Sequence, residues 1–252
     1  MQALPDHCRR ERPLADVPRP VLALLIAALL AQLAWHQSQP GAAARRQPLP
    51  EAPSASTLNT FSLGEPVTLA KALNLWLQSF DNQPGISIPF RSLDYGRVRQ
   101  WLERIVALDP GGQYPLLAAA RLYGAVPDPV RKRQMLDFVY EKFLEAPNRR
   151  WPWLAHAVLI AKYRLEDLPL ALKYARAIAD KATGEQVPHW AQQLVIFVLE
   201  DMGERAAARA LIGSLLDSGG ITDANELRFL SERLDSLRDE DADAGSPNGF
   251  KE

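Results

Sequence analysis

Residues that could do chemistry are few in this chain, and their spacing argues for recognition rather than catalysis. Its four histidines, His7, His36, His156 and His189, stand far apart. A metal centre of the zinc kind needs three or four donors converging on one point, and none of the four has a second histidine or a cysteine at a suitable spacing. The single cysteine, Cys8, has no partner for an internal disulfide. It also precedes the apolar N-terminal segment, whereas lipid attachment of the lipoprotein kind requires a cysteine after such a segment. The sequence contains no Gly-x-Ser-x-Gly elbow and no glycine-rich phosphate loop. The adjacent acids Glu166 and Asp167 fall at a helix junction, where capping explains them better than acid/base work. The expectation is a protein without catalytic, cofactor or metal residues, and not an enzyme.

Recognition has better material. Trp151-Pro152-Trp153 offers paired aromatics of the kind that anchor ligands in grooves, although a tryptophan there also serves to pack neighbouring helices. Arg121, His156, Lys162 and Gln193 each interrupt an otherwise apolar helical stretch. Together with Trp153 they form the candidate protein-binding surface. Arg131-Lys132-Arg133 could meet an acidic partner or lipid headgroups, but a solvated helix face is the simpler reading. With Lys plus Arg at 29 and Asp plus Glu at 30, the chain has no basic field for nucleic acid.

The elements that position these residues begin with an apolar run at residues 21–36. Val21 to Trp35 carries no charge, and its strongly polar member is Gln32. A helix of that length covers about 23 Å against a hydrocarbon core of about 30 Å. Trp35 and Arg19 are placed to reach the two interfaces. A retained transmembrane anchor and a cleaved signal segment both fit, the latter with small residues at Ala42, Ala43 and Ala44. Arg9, Arg10, Arg12 and Arg19 precede the run, while Arg45 and Arg46 follow it. The positive-inside rule therefore sets residues 1–20 in the cytoplasm and the rest in the periplasm, as in a single-pass bacterial inner-membrane protein. Residues 37–58, rich in Pro and Ala, read as an extended linker. Residues 239–252 read as an acidic, fraying tail.

Residues 59–238 carry helical periodicity throughout, and a hydrophobic fraction of 47% supplies a core. Start and stop signals predict helices over 66–80, 94–108, 114–123, 129–145, 151–164, 168–181, 188–202, 204–216 and 223–237. The first should carry Leu69, Leu73, Trp76, Leu77 and Phe80 on one stripe. Nothing reads as a sheet; Ile86, Ile88 and Phe90 alternate in a Pro-bounded loop that covers the first hairpin. Short connections imply antiparallel neighbours. Leu165-Glu166-Asp167 recurs as Leu199-Glu200-Asp201, 34 residues on, and Ala171 and Ala175 recur as Ala206 and Ala210. Ala107-Leu108-Asp109-Pro110 completes the pattern, which over residues 95–216 resembles tetratricopeptide repeats, without the full Trp-Leu-Gly-Tyr signature. The chain is also similar to single-span bacterial membrane proteins with helical-repeat domains, a group that brings no activity with it. The resemblance implies an all-α fold, an α-solenoid of antiparallel helical hairpins behind one transmembrane helix. It implies a membrane-anchored scaffold or assembly factor binding a protein or peptide partner. A self-associating structural protein and a helical envelope enzyme are the alternatives.

Overall fold

The computed structural model describes residues 17–38, 47–83, 85–219 and 221–245. Cys8, His7, the arginines at 9, 10, 12, 45 and 46, the alanines at 42–44 and the last seven residues of the expected acidic tail lie outside them. Contacts divide the chain into two compact units, Met1–Arg46 with Gln83–Ser87, and Gln47–Asn82 with Ile88–Glu252. The fold is all-helical. In the first unit, α1 (Arg19–Ser38) is longer than its apolar run and buries no residue. Its 20 residues make a helix about 30 Å long, enough to cross a bilayer.

The second unit begins earlier than the linker reading allows. Leu49 is buried, and the backbone around it accepts hydrogen bonds from side chains far along the chain: Trp101 Nε1 donates to Pro50 O at 2.9 Å and Arg104 Nε to Pro53 O at 3.1 Å. Prolines have no N–H to satisfy, so an extended proline-rich strand can lie on a helix with its carbonyls serving as acceptors. Residues 47–54 are thus docked rather than tethering. Ser54 then caps α2 (Ala55–Phe61), its side chain accepting from the Thr57 N–H. Pro66 opens α3 (Pro66–Ser79), whose buried stripe is Ala70, Asn74 and Leu77. Of the stripe expected there, Leu77 faces the core, while Trp76 packs its ring on Phe80 and on Trp101 with its own edge open to solvent. After α3 comes a minimal ladder of β1 (Asn82–Gln83) and β2 (Ile86–Ser87), where no strand was expected. Beyond it Ile88 is buried and Phe90 packs edge-on against Tyr123, as the alternating loop suggested.

Asp94 accepts from the Gly96 and Arg97 N–H groups and starts α4 (Tyr95–Leu108), with Tyr95, Val98, Leu102 and Ile105 buried as the spacing predicts. The third predicted helix is less regular. α5 (Tyr114–Leu117) passes into a π-helical turn at Ala118–Leu122 and a 3-10 turn at Tyr123–Ala125. Ala118, Ala119 and Ala120 are all buried and present no bulk against a widened turn. Gly124 follows because a Cβ there would stand 2.9 Å from the Ala119 carbonyl oxygen.

Asp128 and Pro129 open α6 (Pro129–Glu145) as an N-cap and first-turn proline should. α7 (Pro147–Arg164) starts a turn before Trp151, so Trp151-Pro152-Trp153 lies inside a helix and not at its head. Asp167 caps α8 (Leu168–Lys181) through the Leu170 N–H. The helix expected at 188–202 is broken at Gln193 into α9 (His189–Gln192) and α10 (Leu194–Asp201). Then come α11 (Arg205–Asp217) and α12 (Ala224–Gly245). The last continues past residue 238, so the first part of the expected tail is helical. Each long helix packs on its neighbours along the chain, α3 on α4, α4 on α6, α6 on α7, and so on to α11 on α12.

The 34-residue recurrence read in the sequence does not coincide with the helix starts. Glu166, at φ 54, precedes the Asp167 cap, and the residue in the matching left-handed position is Gly203, at φ 76, before Glu204. α8 opens at Leu168 and α11 at Arg205, an offset of 37. The small buried positions Ala171 and Ala175 therefore correspond to Ala208 and Ile212, while Ala206 and Ala210 face solvent. Leu199-Glu200-Asp201 lies within α10, and its sequence match to residues 165–167 is not a structural one.

Arg150 is the polar hub of this packing. Buried to 2% exposure, its guanidinium donates to Lys142 O, to Glu145 Oε2 at 2.8 Å and to Pro110 O at 3.2 Å, binding α6, α7 and the end of the α4 loop. Burial alone would raise the Glu145 pKa; hydrogen bonds from Lys142 and Arg150 outweigh it and hold the carboxyl below its ordinary value. Arg150→Ala removes all three of these bonds, each worth about 1 kcal/mol. Arg150→Ala should therefore lower the chemical-denaturation midpoint far more than Tyr123→Phe, for which the loss of one hydrogen bond costs about 1 kcal/mol. Equal effects in circular dichroism of the detergent-solubilised chain would contradict this ranking.

Candidate functional site

Between α3 and the start of α5 runs a groove of about 430 Å³. Its α3 wall is Ala70, Asn74 and Leu75; opposite stand Ile105, Tyr114 and Pro115. Lys71, Asp109 and Gln113 make a polar rim. The Tyr114 hydroxyl donates to Gln78 Oε1 at 3.1 Å, and beyond that bridge a further hollow of about 320 Å³ continues past Leu117 to Arg121. Leu75 is 64% and Tyr114 47% exposed, an apolar pair that water covers at a cost.

The α3 helix also holds two unpaired polar atoms. Asn74 is 4% exposed and its Oδ1 has no hydrogen-bond partner, and the buried Nε2 of Gln78 has none either. Buried polar groups are nearly always satisfied. Here an acceptor and a donor, one helical turn apart, lack partners, Asn74 on the groove wall and Gln78 on the further hollow. The terminal torsion of a carboxamide is soft, so either amide can turn toward a ligand.

Of the five residues singled out from the sequence, Arg121 alone is among those lining the groove and its further hollow. Trp153 Nε1 donates to the rim residue Gln113 at 2.6 Å. Arg121 lines the far hollow, and it acts on His156 across from it. Burial and then the Arg121 charge lower the His156 pKa, so the imidazole is neutral at pH 7. Lys162 stands elsewhere, ion-paired to Asp201 and lying 4.6 Å over the Tyr163 ring. Burial would lower its pKa, but the bonds with Asp201 and Tyr163 raise it. Gln193 is not a surface residue at all: it is 4% exposed and its amide donates to Glu226. In the first turn of α12 the Asp223 side chain accepts from the Glu226 N–H at 2.9 Å.

The basic run is absorbed as well. Lys132 is buried with Nζ donating to Arg164 O at 3.3 Å, Arg133 pairs with Asp167 at 2.7 Å and Arg131 lies over the Tyr95 ring. Lys132 is thus withdrawn from the solvated face expected here, while Arg133 stays exposed beside its ion pair. Trp151 meets Trp190 edge-on at 5.3 Å, joining α7 to α9. Sequence reasoning passed over Asn74, Gln78 and Tyr114. A signal existed in Asn74, a polar residue four after Ala70 and three before Leu77 on an otherwise apolar stripe.

Among the described residues, no three His, Cys, Asp or Glu side chains gather as a metal site would require. Comparison with protein-family models, with curated proteins and with solved structures finds no match to this chain.

A lowered histidine pKa has a definite sign in stability. Between the folded value and the ordinary 6.5 the unfolded chain binds the extra proton, so folding loses stability as pH falls through 6.5 and is unaffected above it. The thermal midpoint should drop more between about pH 7.5 and about pH 5.5 in the wild type than in His156→Gln. Arg121→Gln should recover part of the difference, since burial is the larger cause. Parallel pH profiles for all three would exclude this coupling.

Proposed function

We propose that this protein is a membrane-anchored helical scaffold, with α1 as the anchor, that holds a segment of a protein partner in the groove between α3 and α5. The observation that carries the reading is α3 itself, apolar at Leu75 and holding buried, unpartnered polar atoms at Asn74, on the groove wall, and at Gln78, on the further hollow. A peptide backbone offers an N–H for the one and a C=O for the other, and an apolar side chain fits the space between. Helices packed in chain order support an α-solenoid of hairpins, an architecture whose rigid concavities suit peptides. The arginines before α1 favour a cytoplasmic N-terminus and a domain in the periplasm of a bacterial inner-membrane protein.

Two measurements bear on it. A photo-crosslinking residue at Leu75 or Tyr114 should yield a discrete adduct in intact cells, and the same residue at the exposed Glu185 should not. Asn74→Leu replaces an unsatisfied buried oxygen with an apolar side chain. It should raise stability by about 1 kcal/mol, about 2–4 °C in thermal midpoint, while weakening the adduct about tenfold. Adducts of equal yield at all three positions, or an Asn74→Leu chain that is less stable and crosslinks as before, would remove the basis for this function.

A further inference from the structure

The turn between α2 and α3 projects three large apolar side chains into water: Phe61 at 72%, Leu63 at 91% and Val67 at 42% exposure. Leu63 has φ 50 and Gly64 φ 89, so two consecutive residues are left-handed. That conformation is natural for glycine and sterically unfavourable for leucine. The backbone is nevertheless fixed, with the Leu63 N–H donating to Thr60 O at 3.3 Å and the Glu65 N–H to Ser62 O at 2.8 Å. A Cβ on Gly64 would meet nothing within 4 Å, so the turn stands clear of the domain. Strain of this kind, holding an apolar side chain outward, calls for a purpose outside the fold.

A convex tip has no pocket in which to seat a protein side chain, but a fluid apolar phase conforms to it. Only residues 39–46 separate the end of α1 from Gln47, and those nine Cα steps span at most about 30 Å. Whatever bilayer α1 enters is therefore at high effective concentration for the domain, and a weak second contact suffices where the first is already made. Asn59, Thr60, Ser62 and Glu65 surround the apolar three with groups suited to the headgroup layer. We infer that Phe61, Leu63 and Val67 form a lipid-contacting tip that docks the domain onto the membrane holding α1. This rests on α1 being a retained anchor and is independent of the groove.

The test uses the full chain with Cys8→Ser and Leu63→Cys, labelled with an environment-sensitive fluorophore and reconstituted in phosphatidylcholine vesicles. The label at 63 should emit as in an apolar medium and be quenched by spin-labelled lipid several-fold more than a label at Glu185→Cys. With the label moved to Val67→Cys, adding Leu63→Gly should abolish most of the quenching while relieving the backbone, so loss of fold does not confuse the result. Alkaline washing of the same vesicles reads the anchor separately. Protein washed away overturns the anchor and the tip together. Protein retained with water-like emission at 63 overturns the tip alone, and so does a blue-shifted label that lipid quenchers do not reach, which would mean a protein cover.

Discussion

Tyr123 fixes the distance on which the groove depends. Its ring is fully buried and meets Phe90 and Tyr95 edge-on, at 5.5 and 6.3 Å. Its hydroxyl donates to the Leu77 carbonyl of α3 at 3.2 Å, and its backbone carbonyl accepts from the Tyr95 hydroxyl at 3.0 Å. Burial raises the pKa of both phenols, so they remain neutral donors at any physiological pH. α3, α4 and the π turn are thereby held in one arrangement, with Gly124 admitting the close backbone approach that follows. The groove lies along α3 from Ala70 to Leu75, just before the Leu77 carbonyl that Tyr123 holds.

Buried polar groups elsewhere in the domain show what α3 lacks. Lys132, Gln193 and Arg150 each reach another helix and find an acceptor there. Such ties select one relative placement of neighbouring helices, because any slip leaves a desolvated charge or amide unpaired. Arg150 keeps its Nε without a partner, but the rest of its guanidinium is engaged three times over. Asn74 and Gln78 differ in kind. Their unpartnered atoms belong to residues that line the groove and the further hollow.

Much of the fold was legible because it is local. Asp94, Asp128 and Asp167 cap the helices that their positions announce, and the buried faces of α4 and α6 follow the helical period. What could not be read was set by contacts between distant residues. Proline carbonyls of 50 and 53 look like a linker until Trp101 and Arg104 arrive to bond them. Ala206 and Ala210 match Ala171 and Ala175 by letter, but a glycine turn shifts α11 so that Ala208 and Ile212 take the buried places. For the site, polarity on an apolar helix picked out Arg121, which lines the further hollow, and His156, which lines neither. It misled at Gln193, where a helix break turns the amide inward toward Glu226. At Asn74 the same signal was present and went unread.

The end of the helical series explains why both candidate surfaces involve α3. Each interior helix has a neighbour on either side along the chain, whereas α3 packs chiefly on α4. A stack of helices ordinarily closes such an end with a polar face. Here the outward stripe runs Val67, Lys71 and Leu75, two apolar residues with one charge between them, and the turn before it adds Phe61 and Leu63. Burying each of these side chains would contribute about 1.5–3 kcal/mol, stability the isolated domain forgoes. A polar substitution at any of them would cost the fold little, so packing alone does not account for their apolar character. The free energy left uncollected along this one helix is available to whatever covers it.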